Sequence, residues 1–285
     1  MTELPLHSRR RRALQRAAAA FALELGAPLG DSPNHLVLAA TAPDRDRVMK
    51  WHAAEANANL EQVGLSLLEG AALAPACDRS GSVLVVDRVR PGFSMTDAWR
   101  ASAGVPGHVE RVSATLVLAC ELADAVQSLT PRRVSRRALD LIRGDLAGGA
   151  AGRILAGDES YPISPDLAAD VLARLAGDSP VAGLCHGDFQ PGNLLWDGSH
   201  WVVIDPRPVV GPPGVDRGRM AVAAVLYAHL DADRVLGLLG DAPGTQAWTR
   251  AWALQVWSYI WGLGAGESAA AHACLDLVAA TYHGR

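Results

Sequence analysis

The alternation of apolar and polar positions divides the chain into short extended stretches followed by long helical ones. Ala13 to Leu25, behind the basic run Arg9 to Arg12, predicts an amphipathic helix with a solvated basic start. Gly26 to Asn34, with Pro28, Gly30 and Pro33, reads as turn-rich. His35 to Thr41 reads as a strand, Pro43 to Asp46 as a hairpin tip, and Arg47 to Trp51 as the returning strand with Lys50 near its end. A helix follows from about Ala53 to Glu69, with Leu60, Val63, Gly64, Leu67 and Leu68 at roughly helical spacing. Ser82 to Asp87 is too short for a typical helix and rich in β-branched residues, so it reads as a buried strand, which Arg88 to Gly92 breaks.

The rest is mainly helical. Helices are predicted over Val112 to Ser128, from Ser164-Pro165 to about Leu175, and over Arg217 to Leu226. Residues 144–164, rich in Gly, Ala and Asp, read as loop. Between the last two helices, Asp197-Gly198 flanked by apolar runs marks a tight hairpin that returns through Trp201 to Ile204. Near the end, Trp248 and Trp252, and then Trp257 and Trp261, form i,i+4 pairs that predict core packing of a helical domain.

At 285 residues, two lobes are expected rather than one core, with the boundary near residue 91 (1–90 and 91–285). Hydrophobic residues make up 49% and charged residues 20%, ordinary for a soluble globular protein, and a net charge of −4 gives no reason to expect nucleic acid or an acidic membrane as partner. No signal peptide or membrane span is visible, so a cytoplasmic location is expected. Cys77, Cys120, Cys185 and Cys274 lie far apart, which reads as reduced thiols and not as a metal or disulfide framework. The basic residues are more telling. Of 26, only Lys50 is lysine, against 25 arginines. A single lysine kept under such a bias marks a place where a compact point charge is needed, such as a phosphate site.

The candidate chemistry lies between Val181 and Met220. His186-Gly187-Asp188 is followed five residues later by Asn193, and twelve residues beyond that by Asp205. This layout suits phosphoryl transfer from a nucleotide: Asp188 accepts or orients a hydroxyl proton, while Asn193 and Asp205 hold Mg²⁺ on the phosphates. His186 supports the loop. Such chemistry also needs an acid to pair with Lys50, for which Glu55 and Glu61 are candidates.

With these residues the chain resembles the aminoglycoside phosphotransferase family, which carries an H-G-D-x-x-x-x-N loop and a later I-D. The streptomycin 6-kinase branch is nearest, since Ile204-Asp205-Pro206 is followed by Gly211-Pro212-Pro213-Gly214-Val215-Asp216. The resemblance implies a two-lobed, kinase-like α+β fold with a small antiparallel-sheet N-lobe and a mainly helical C-lobe. It selects Glu61, nine residues before Gly70, as the partner of Lys50, and puts a phosphate-covering loop at Gly30 to Asn34. It also implies a hinge at Arg88 and Val89 whose backbone binds adenine, a bracing role for Asp216, and an acidic substrate contact at Glu267. The implied reaction is ATP-dependent O-phosphorylation of a small molecule, with an aminoglycoside such as streptomycin, and antibiotic resistance, as first reading. Alternatives are a metabolic kinase for a sugar, amino sugar or amino alcohol, and a non-catalytic pseudokinase. A metal-dependent hydrolase on His186, Asp188 and His200 lacks a His pair at ligand spacing.

Overall fold

A computed structural model describes residues 5–147, 165–177, 182–240, 242, 244–266 and 268–283. The chain forms two compact units, Met1–Phe93 with Leu195–Arg207, and Ser94–Leu194 with Pro208–Arg285. The hairpin read with the second lobe therefore packs with the first. Backbone bonds hold it there: Gly92 N–H donates to Trp196 C=O at 3.0 Å, and Val203 N–H to Leu73 C=O at 2.8 Å.

The first unit is built on an antiparallel sheet of β1 (Glu24–Asp31), β2 (His35–Ala42), β3 (Arg45–His52), β4 (Cys77–Ser80) and β5 (Val83–Asp87), in the order β1-β2-β3-β5-β4. The two-residue period of β3 sorts its side chains between the faces. Met49 and Trp51 point to the face where Val83 and Val85 meet Leu14, Ala17 and Ala18 of α1 (Pro5–Ala20). Val48 and Lys50 point to the other, which α2 (Glu55–Glu69) covers with Ala58, Glu61, Leu65 and Leu68, spaced as one helical stripe.

Several expectations change here. The first helix ends at Ala20, and Gly26 to Asp31 is strand. Pro28 is tolerated because β1 is an exposed edge strand whose register shifts on either side of it. The presumed covering loop thus contracts to a turn in which Ser32 Oγ accepts from the N–H groups of Asn34 (3.3 Å) and His35 (3.1 Å). The basic start of α1 is not wholly solvated either. Arg10 is buried, bonds Asp31 Oδ1 at 2.7 Å, and lies over the Trp51 ring.

The second unit is mainly helical. It holds α3 (Met95–Ser102), α4 (His108–Gln127), α5 (Ala138–Ala147), α6 (Pro165–Gly177), α7 (Gly214–Ala228), α8 (Ala232–Leu239), α9 (Thr245–Gly262) and α10 (Ala269–His283). A two-stranded antiparallel pair, β6 (Gly183–Cys185) with β9 (Val209–Gly211), leads into the candidate loop. The start of the 144–164 stretch is helical, as the end of α5, and 148–164 lie outside the described residues. Helix α9 packs on α7 closely enough that a Cβ on Gly218 would stand 2.6 Å from the Thr249 nitrogen, so this crossing requires glycine. Trp248, Trp252 and Trp257 are core, at most 2% exposed, with Trp252 Nε1 donating to Val215 C=O at 2.9 Å. No helix among the described residues is long and apolar enough to cross a membrane.

Candidate active site

The candidate side chains form two groups, one in each unit. In the first, Lys50 Nζ lies 2.9 Å from Glu61 Oε2, 3.1 Å from Glu61 Oε1 and 2.8 Å from Asp205 Oδ1. Strand β3 brings the lysine and the second position of the buried α2 stripe brings Glu61, while β7 (Leu194–Trp196) and β8 (Trp201–Val203) return the chain to Asp205. Asp197 shapes their turn by accepting from Ser199 N–H and His200 N–H, both at 2.8 Å. Asp205 itself has φ +57°, a left-handed conformation that aspartate tolerates better than most residues and that recurs where a side chain must be aimed. Burial pulls the Lys50 pKa down, but the carboxylates of Asp205 and Glu61 outweigh it, and the ammonium titrates above its ordinary value.

Lys50, Glu61 and Asp205 face a cavity whose remaining wall is largely apolar, with Val37, Val48, Leu65, Val86, Val89 and Ile204 among its residues. Of the two hinge residues, Val89 lines this space. Arg88 does not, and its N–H is already donated to Asp46 C=O at 3.0 Å. Glu55 is exposed and lies 3.2 Å from Arg79, away from Lys50. A residue that the pattern did not single out is His52, buried two positions beyond Lys50 on the same face, with Nε2 3.0 Å from Glu61 Oε2. Its period-two offset from Lys50 was the available signal.

The second group is the loop after β6. Gly187 has φ +78°, a turn that glycine enters without penalty. Asp216, in the first turn of α7 and fully buried, accepts from His186 N–H at 2.7 Å and from Gly187 N–H at 2.9 Å. Burial pushes the Asp216 pKa up, against the opposing pull of His186 and of those two donors. Asp188 N–H faces His186 Nδ1 at 3.3 Å, and the His186 ring meets Phe189 edge-on. Asn193 closes the loop, its Nδ2 donating to Asp188 C=O at 2.8 Å and to Asp188 Oδ2 at 3.3 Å. With its N–H₂ turned to Asp188, the Oδ1 end of Asn193 is the one suited to a hard cation. Two more contacts hold the Asp188 carboxylate: Gln190 Nε2 and Arg219 Nε, each at 3.4 Å. Neither was foreseen, although Arg219 stands one helical turn past Asp216. Glu267 lies outside the described residues.

Replacing Asp216 by Ala should leave two buried N–H groups unsatisfied and destabilise the fold by about 1–3 kcal/mol. The denaturant midpoint checks this, and an unchanged midpoint would mean that the loop does not depend on that brace.

Residues 88–254 match the model of the phosphotransferase enzyme family (APH), which covers more than half of the chain. This chain belongs to the phosphotransferase enzyme family. Its fold is that of solved kinase-like phosphotransferases. It is similar to the aminoglycoside phosphotransferase APH(4)-Ia, at 16% identity over 96% of this chain and 99% of that one, with a TM-score of 0.66. It is similar also to the choline kinase LicA from Streptococcus pneumoniae (10% identity, 93% and 98% covered, TM-score 0.63). The macrolide 2′-phosphotransferase MphH from Brachybacterium faecium gives 17% identity, 96% and 99% covered, and a TM-score of 0.56. No curated protein sequence matches the chain significantly.

The hydrolase alternative finds no support in the phosphotransferase. Among the described residues no three His, Cys, Asp or Glu side chains gather as a metal site, and His200 is engaged with Asp197, Nδ1 to Oδ2 at 3.1 Å. A magnesium site of the family's chemistry is a different matter. A carboxylate and an amide oxygen are both hard donors of the kind Mg²⁺ takes, so Asp205 in the first unit and Asn193 in the second are each suited to it by type.

Proposed function

We propose that this phosphotransferase moves the γ-phosphoryl group of ATP to a hydroxyl of a small molecule. The observation that carries the reading is the Lys50 ammonium, held between Glu61 and Asp205 in the wall of an apolar cavity. Lys50 meets the phosphates as a point charge, Glu61 fixes it there, and the valine-rich wall around Val89 takes the base. Asp205 and Asn193 would each offer an oxygen ligand to Mg²⁺, which would supply charge neutralisation on the phosphates. Asp188 orients the acceptor hydroxyl and takes its proton as the new O–P bond forms and the bond to ADP breaks. The related aminoglycoside phosphotransferase solved with ADP or AMP-PNP and hygromycin B supports ATP as donor and a hydroxylated acceptor. The presence of Lys50, Asp188, Asn193 and Asp205 together speaks against a pseudokinase.

The protein acts in the cytoplasm on this reading, which its free cysteines suit. Motif spacing of the streptomycin 6-kinase type puts streptomycin first on an acceptor panel, where turnover would mean a resistance enzyme. Sugars, amino sugars and amino alcohols come next. The test is Mg²⁺-dependent ATP consumption with detection of a phosphomonoester by phosphorus NMR. The expected result is product formation that EDTA abolishes. ATP bound without transfer to any member of the panel, or hydrolysis indifferent to Asp188, would sink the reading.

A further inference from the structure

The second unit contains a cleft lined by partners of the Asp188 carboxylate. Gln190 and Arg219, the two side chains that reach Asp188, both line it. From there α7 and α9 supply the walls. Arg219, Val222, Ala223 and Leu226 follow at offsets of three, four and seven on α7, which sets them along one helix face. Tyr227 and Tyr259, at 43% and 63% exposure, form the rim. Large aromatic side chains exposed at the mouth of a pocket, beside a reactive group, mark a surface meant to be covered by a ligand.

The charge of the cleft is as informative as its mixed lining, in which Gln190 and Gln255 stand beside Val222, Ala223, Leu226 and Val256. Arg219 is the one ionised side chain lining it among the described residues. Its guanidinium is fixed from both sides, by Asp188 Oδ1 at 3.4 Å and by the face of the buried Trp252 ring at 5.3 Å from the centroid. A cationic group close to the reacting hydroxyl would stand beside this guanidinium, and the nearest carboxylate, Asp188, is already shared with it. A polycation is poorly served by such a wall.

Resting on the transferase reading above, we infer that the acceptor is an uncharged alcohol with an apolar body: the hydroxyl sits at Asp188, and the apolar part lies along Val222 and Leu226 beneath Tyr227 and Tyr259. This reverses the order of the acceptor panel that motif spacing suggests. Arg219 is then a specificity-determining residue, selecting against amines next to the phosphorylated position.

Matched probes separate charge from apolarity. Glucose against glucosamine isolates one ammonium, glucose against phenyl β-glucoside isolates an apolar body, and streptomycin is the polycation. Binding of each to the enzyme loaded with Mg·AMP-PNP is measured by calorimetry, together with the ATP turnover it supports. Phenyl β-glucoside is expected to bind about tenfold or more tighter than glucose, the scale of a few well-buried carbons. Tyr259→Ala should shrink that difference, weakening phenyl β-glucoside severalfold more than glucose. Glucosamine should bind severalfold more weakly than glucose, and Arg219→Gln should bring that ratio towards one. Streptomycin or glucosamine binding more tightly than the uncharged probes, no binding of phenyl β-glucoside, or ratios untouched by both variants would overturn the inference. Normal Mg·AMP-PNP affinity in those cases leaves the transferase reading standing, whereas loss of Mg·AMP-PNP binding in the wild-type protein sinks the transferase reading itself.

Discussion

Asp188→Ala is expected to lower turnover by about 10²–10⁴-fold, the range for removing a positioned acid–base group, while Mg·ATP still binds. The separation follows from where the groups lie. Lys50, Glu61 and Asp205 are anchored in the first unit by β3, α2 and the hairpin, whereas Asp188 belongs to the second. The loss should fall on kcat, because the carboxylate acts on the hydroxyl at the moment of transfer and adds little to ground-state binding of the nucleotide. The neighbours of Asp188 give the variant a second signature. Without the carboxylate, Arg219 and Gln190 lose a common acceptor, so Asp188→Asn, which keeps one oxygen for them, should retain more order in the loop and yet remain slow. Steady-state kinetics with titration calorimetry check both variants. Undiminished turnover in Asp188→Ala would remove Asp188 from the chemistry.

The second large effect is expected at Asp205. Asp205→Ala should weaken Mg·ATP by about 100-fold or more, since altering even the partners of metal ligands costs 10–100-fold in metal affinity. Two contributions must be kept apart. The residue has φ +57°, so alanine there also bears a backbone penalty on the order of 1 kcal/mol. Asp205→Asn is the control, because asparagine accepts that conformation while losing the charge. If the carboxylate matters as proposed, both variants lose affinity for Mg·AMP-PNP, and affinity for AMP-PNP in EDTA falls much less. Calorimetry with and without the metal measures this. Equal affinity of wild type and Asp205→Asn for Mg·AMP-PNP would take Asp205 out of the magnesium site.

Strong local chemistry made part of this protein legible before its structure. The β2–β3 hairpin was readable because Pro43 to Asp46 separates two runs of β-type residues, and the register then places Lys50 opposite Val37 and Leu84. The hairpin before Asp205 was readable from Asp197-Gly198. Edge strand β1 was not, because Pro28 and Gly30 are turn residues in any local reading and only pairing with β2 overrides them. Strand β4 failed in a similar way: Cys77-Asp78-Arg79-Ser80 has no apolar pattern of its own and is strand because β5 offers it a free edge. Helix α3 is one short segment whose capping box, Ser94 with Asp97, was the missed signal.

The chemistry divides along the same line. Asp188, Asn193 and Asp205 stand at spacings that a single stretch displays. Arg219 and Gln190 stand out through contact with Asp188, and His52 through contact with Glu61, and composition says nothing of such contacts. The one charged wall of the cleft was therefore invisible, although Arg219 is only three residues from Asp216.

Helix α7 shows a division of labour along its length. Its first turn, through Asp216, holds the backbone of the loop after β6, and its second, through Arg219, holds the Asp188 carboxylate of that loop. The turns that follow carry Val222, Ala223 and Leu226 into the lining of the cleft. On the proposed reading, reactivity and recognition occupy successive stretches of one rigid rod, so a change of ligand would be written downstream of Arg219. A redesign of acceptor range would begin at Val222, three residues past the last contact that the chemistry needs.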